Sequence, residues 1–143
     1  MVERGVALKE ICQKFNVAIL YVFGSRADEV YGWLDGAIAE LTPGPSDVDV
    51  GVKAMPGVQW SFHDKVLLSI ALEDLLGCSR VDVVALDTAN PFLADEIVRG
   101  NRLYARDEYE ADEYDLYVLR RTGDLAPLER ERMVLVLGLE ERP

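Results

Sequence analysis

The sequence predicts a small α+β domain, and three observations carry that prediction. Apolar runs at 17–23, 47–53 and 80–86 have strand length and are rich in valine, isoleucine and leucine. Longer segments with helical spacing of apolar residues lie before and between them. Turn-forming residues stand at the joints: Gly24, Thr42-Pro43-Gly44-Pro45, Gly77 and Gly100. At 143 residues the chain is long enough for one domain with a real core.

Each element has a local reason. Val6, Leu8, Ile11, Cys12 and Phe15 fall near helical spacing and predict an amphipathic opening helix. The run 17–23 is the first strand. Thr42-Pro43-Gly44-Pro45 is a rigid turn that sets up the second strand, 47–53. Ser61 caps a helix to about Leu76, with Val66, Leu67, Ile70, Leu72, Leu75 and Leu76 as its apolar face and Gly77 ending it. The third strand is 80–86. A short helix around 91–99, closed by Gly100, leads to a last strand at 102–105. Six acids and two tyrosines fill 107–115, an acidic linker entering a helix whose positive end suits them. Helix continues over 113–122, and Pro127 restarts one that contains the apolar run 133–139, either covering the sheet or meeting a partner.

The chemistry-bearing residues sit on the strands. Gly24-Ser25-Arg26 follows the first strand, Asp47-Val48-Asp49 lies on the second and Asp82 on the third. Side chains alternate along a strand, so Asp47 and Asp49 point the same way, ~7 Å apart. A neighbouring strand lies ~4.8 Å away, so Asp82 could complete a three-carboxylate cluster. Such anions repel unless a cation joins them, and hard oxygen ligands with open positions suit Mg²⁺. Two metals would stabilise the attacking and leaving oxygens of an in-line displacement at phosphorus. Glycine lets backbone N–H groups approach a phosphate, and the Ser25 hydroxyl adds a donor. A helix starting after Ser25 would favour a triphosphate further. Taken singly, Gly-Ser is an ordinary turn and Asp-x-Asp an exposed polar face. An acid within Val81-Asp82-Val83-Val84 is the sharper anomaly, because a buried unpaired carboxylate is costly.

Together the three segments resemble the DNA polymerase β nucleotidyltransferase superfamily, and within it the minimal nucleotidyltransferases (MNT proteins). The resemblance covers roughly residues 15–106. It implies a small mixed sheet with helices packed on one face, a nucleotidyltransferase domain over 1–106, and an acidic linker with a helical extension over 107–143. It also implies residue roles: Asp47, Asp49 and Asp82 as metal ligands and catalytic residues, Gly24, Ser25 and Arg26 as nucleotide-binding residues. Asp82 would help draw the proton from the attacking hydroxyl. Arg26 would neutralise the leaving pyrophosphate or pair with nearby acids. Two Mg²⁺ ions, with Mn²⁺ as a substitute, and ATP or another NTP are the implied ligands. Minimal members commonly pair with a HEPN-domain protein as toxin and antitoxin, which implies transfer of NMP, AMP foremost, to that partner. The chain departs from the family between Ser25 and Asp47, where it carries about twice the usual residues, and Asp28 and Glu29 stand where a glycine is usual. The extra stretch, 28–41, is expected either as a helical lid separable from the core or as a decoration of the first helix after the turn.

Composition narrows the alternatives. The formal net charge of −11 argues against gripping a long nucleic acid, which needs a positive stripe. A compact nucleotide remains possible because the metal brings positive charge. No apolar span predicts a membrane helix and no signal-peptide character appears, so a cytoplasmic protein is expected. Cys12 and Cys78 read as free buried thiols and His63, the single histidine, as a surface residue. Two other functions compete: a non-catalytic antitoxin that neutralises its partner by binding, and a small-molecule, antibiotic-type nucleotidyltransferase. Homo-oligomerisation stays open.

Overall fold

The computed structural model describes residues 2–43 and 47–137, with side chains described for 3–43 and 47–123. Helix α1 (Val2–Lys14) leads into β1 (Val17–Phe23), α2 (Ala27–Asp35) and β2 (Val48–Ala54). Then come α3 (Phe62–Leu76), β3 (Val81–Ala85), α4 (Pro91–Val98), β4 (Asn101–Ala105) and α5 (Glu108–Leu137). The strands form one sheet in the order β3-β2-β1-β4. β1 runs antiparallel to both neighbours, whereas β2 and β3 are parallel. A parallel pair needs a crossover, and α3 supplies it.

The mixed sheet is the one implied above, with one difference in the helices: they lie on both faces. On one face α1, α2 and α3 bury Leu8, Cys12, Val30, Leu68 and Leu72 against Leu20, Val22, Val50 and Val52. On the other, Ala94 and Ile97 of α4 and Ala111 and Val118 of α5 meet Ile19, Tyr21 and Phe23. All seven residues of β1 are buried, the mark of a strand covered on both sides. That continuous apolar run was the available sign of a second helical layer.

Helix α3 shows what local signals settle and what they leave open. Ser61 accepts from the Asp64 N–H while the Asp64 carboxylate accepts from the Ser61 N–H, a reciprocal cap. Gly77 ends the helix in the left-handed conformation. The buried row, however, is Leu68, Leu72 and Leu76, whereas Val66, Leu67 and Ile70 of the expected face are exposed. The helix is apolar around most of its circumference, so spacing alone does not choose a face.

The 28–41 stretch is not a detachable lid. Its first part is α2, whose Val30 and Trp33 belong to the main core. Ile38 and Leu41 pack against the same cluster. Arg4 reaches from α1 to donate to the carbonyls of Ile38 and Ala39 at 2.8 and 2.6 Å, and its guanidinium lies 4.5 Å from the Trp33 ring centre. Trp33 needed a hydrophobic pocket, and the sheet face offered it.

The acidic run after Asp107 forms the opening turns of α5, fastened by Arg102 and by Arg106, which pairs with Glu110 at 2.6 Å. Arg102 of β4 pairs with Glu108, Asp112 and Asp115 at 2.7–3.0 Å, and the Tyr21 hydroxyl donates to Asp115. Burial opposes the charge on Arg102, but its hydrogen bonds to Asp115 and Asp112 outweigh that and hold it firmly protonated. The backbone of α5 continues through 127 without the restart expected at proline. The expected turn at 44–45 and the side chains of 133–139 lie outside the described residues. Among the described residues no helix is long and apolar enough to cross a membrane. Cys12 and Cys78 are free, and burial pushes the Cys12 thiol up to about 12, leaving it inert.

Candidate active site

Strand register brings the carboxylates together at one end of the sheet. In β2, Val48, Val50 and Val52 enter the core, so Asp49 points to the opposite face. Gly51, two residues on, shows which face that is: a Cβ there would collide with Ile97 of α4. Across the parallel pair Asp49 stands level with Asp82, and across the antiparallel pair level with Phe23. The turn after Phe23 therefore folds over Asp49. Gly24 has φ +81°, and a Cβ on it would sit 2.7 Å from Asp49 Oδ2. The positive φ favours glycine here, and any Cβ would also push the Asp49 carboxylate aside.

The three carboxylates share this end. Asp82 and Asp47, with side chains 42% and 34% exposed, remain open to water and to a hydrated cation. Asp82 thus escapes the burial cost that its apolar strand suggested. The Asp49 carboxyl is held above its ordinary range, first by burial and then by the negative charges of Asp82, Asp47 and Glu96. Among the described residues no three potential ligands converge as a formed metal centre. A protein cation lies between two of them instead: Arg80 Nε is 3.5 Å from Asp47 Oδ2 and 3.3 Å from Asp82 Oδ1. Surplus negative charge, hard oxygen donors and access to water fit a divalent cation of the Mg²⁺ type.

Ser25 is exposed at the turn, and the first helical N–H, that of Ala27, donates back to the Gly24 carbonyl at 3.3 Å. Arg26 is engaged locally. It pairs with Glu29 at 2.8 Å and donates to the Thr42 carbonyl at 2.6 Å, while Glu29 accepts from the Thr42 N–H. Of the two roles expected for Arg26, the ion pair is the one seen.

A cleft of about 410 Å³ opens beside Gly24, lined by Ala27, Asp28, Glu96, Arg99 and Asn101 among others. Arg80, Glu96, Arg99 and Asn101 were absent from the expected site. Glu96, Arg99 and Asn101 come from α4 and its junction with β4, elements that carry no motif, and only the fold brings them beside the Gly24 turn. Arg80 had a faint signal: it sits two residues from Asp82, on the same side of an extended chain. A separate cavity of about 340 Å³ lies at the opposite end of the sheet, around Lys53, Asp87, Tyr114 and Arg121.

The family model for "Polymerase beta, Nucleotidyltransferase" matches residues 7–109. No curated protein matches the sequence. Among solved structures, a crystal structure of a toxin–antitoxin with AMP-PNP is similar at TM-score 0.68 and 17% identity, covering 93% of this chain and 98% of that one. A tri-AMPylated Shewanella oneidensis HEPN toxin in complex with MNT antitoxin is similar at TM-score 0.64 and 16% identity, covering 94% and 96%. A structure described as a proposed minimal nucleotidyltransferase reaches 28% identity at TM-score 0.50, covering 70% and 87%. At the identities of the first two, the likeness is one of fold.

Proposed function

The chain belongs to the polymerase β nucleotidyltransferase family, and from that premise we propose that it transfers AMP from ATP, in a metal-dependent way, to a hydroxyl of a HEPN-domain partner, releasing pyrophosphate. One observation carries the reading: register sets Asp49 level with Asp82 while Gly24 closes over Asp49. A phosphate-gripping turn thereby stands directly against a carboxylate cluster. In this reading Asp47 and Asp49 hold two divalent ions and Asp82 holds one of them. When bound, the metal supplies Lewis-acid charge to the phosphoryl oxygens. Gly24 N–H and Ser25 hold the terminal phosphates, helped by the α2 N-terminus. Asp82, open to solvent, accepts the proton of the incoming hydroxyl. Arg26 fixes the start of α2 to Thr42 so that the turn keeps its shape. An antitoxin role is supported by the folds it resembles, a toxin–antitoxin with AMP-PNP and an MNT antitoxin with its AMPylated HEPN toxin.

The test is co-expression with a HEPN-domain protein, followed by intact-mass spectrometry. AMP on the partner is expected with the wild type and none with Asp47→Asn/Asp49→Asn. A partner that is inhibited yet unmodified would replace transfer by occlusion, and absence of any complex would point to a small-molecule acceptor.

A further inference from the structure

We propose that Arg80 is a built-in counter-ion of the carboxylate site, one that must leave before a divalent cation can enter. This inference rests on the metal-binding reading above. The Arg80 backbone is fixed, while its side chain is held only by exposed ion pairs. The Arg80 carbonyl accepts from the Val48 N–H at 3.1 Å, locking the start of β2 to the start of β3. The next residue, Val81, donates its N–H to Glu73 of α3 at 3.0 Å. The side chain, 67% exposed, nevertheless turns back so that Nε lies within 3.5 Å of both Asp47 and Asp82.

That position relieves repulsion between acids which the sheet forces together. Guanidinium presents several donors in a plane and suits two carboxylates at once. It also competes for the oxygens that a metal needs, so arginine and cation exclude each other. Exposed ion pairs are weak and screened. An arginine held only by such pairs is therefore easily displaced by a doubly charged ion. Arg80 thereby offsets part of the repulsion in the metal-free site, and free metal binds less tightly than the carboxylates alone would allow.

Calorimetric titration of Mn²⁺ without nucleotide, at low ionic strength, compares wild type with Arg80→Gln. The expected result is Mn²⁺ binding at least about threefold tighter in Arg80→Gln, from loss of one repelling charge beside the site. In chelator, Arg80→Gln should melt about 1–3 °C lower, a modest loss for a domain of this size. Adding Asp82→Asn should restore the loss in Arg80→Gln while giving no gain in the wild type. Equal or weaker Mn²⁺ binding in Arg80→Gln, or strictly additive melting shifts, overturns the counter-ion role. Absence of Mn²⁺ binding in both proteins overturns the metal reading itself, and the displacement with it. Arg80→Lys, which keeps the charge, should bind Mn²⁺ closer to wild type than Arg80→Gln does.

Discussion

Asp49 shows how a single side chain can weaken the empty fold for the sake of binding. Its carboxyl is held above the ordinary value by burial and by Asp82, Asp47 and Glu96. The sign follows from linkage: a raised carboxyl favours the protonated form in the folded state. The metal-free protein is therefore favoured below the ordinary value of 3.8 and loses stability as pH rises through it towards the folded value. Asp49→Asn removes that loss. In chelator at pH 7 its melting midpoint should rise by about 1–3 °C, a gain that shrinks on acidification towards pH 4. With saturating Mn²⁺ the order should reverse, because only the wild type gains from binding. Thermal melts across pH, with and without Mn²⁺, check both halves. The acids themselves were legible in the sequence because strand alternation is a local rule that places Asp47 and Asp49 on one side. Glu96 was not, since its relation to the acids depends on where α4 docks, and Arg80 had only its two-residue spacing from Asp82, its reach to Asp47 depending on the β2–β3 crossover.

At the scale of elements, α2 carries the largest correction. A segment expected as a separable helical lid or as a decoration of the first helix is one wall of the core, because Val30 and Trp33 bury against the sheet and Arg4 ties the following turn to α1. Trp33→Ala should cost about 3–5 kcal/mol, the usual range for truncating a buried large aromatic side chain. Denaturant unfolding monitored at Trp60 fluorescence and by circular dichroism would measure it. A cost below about 1 kcal/mol would restore the lid. Strands and caps were readable because their signals are short-range: alternation, Ser61 with Asp64, and Gly77. The α3 face was not, since several leucines compete for one groove and only tertiary packing chooses among them, and the second helical layer had the apolar run of β1 as its single sign.

The whole molecule is acidic, and among the described residues six cations pair with its own acids. Arg102 serves three carboxylates, Arg26 serves Glu29, and Lys53 serves Asp87. Such a surface should show no measurable binding to single-stranded RNA or DNA at physiological salt, as fluorescence anisotropy with labelled oligonucleotides would report. Micromolar binding there would contradict this reading of the acidic surface. The sheet order has a further consequence, for the ribosome rather than for chemistry. The central strand β1 pairs with β4 across nearly the whole domain, Val22 standing opposite Asn101. Contacts of such long range are slow to close, and a nascent chain cannot make them until its far partner has emerged. Until then one flank of β1 stays an open edge and the layer formed by α4 and α5 is missing. Synthesis itself thus sets the moment at which the turn at Gly24 first meets a completed sheet, so a truncated product would carry all three acids without a mature site.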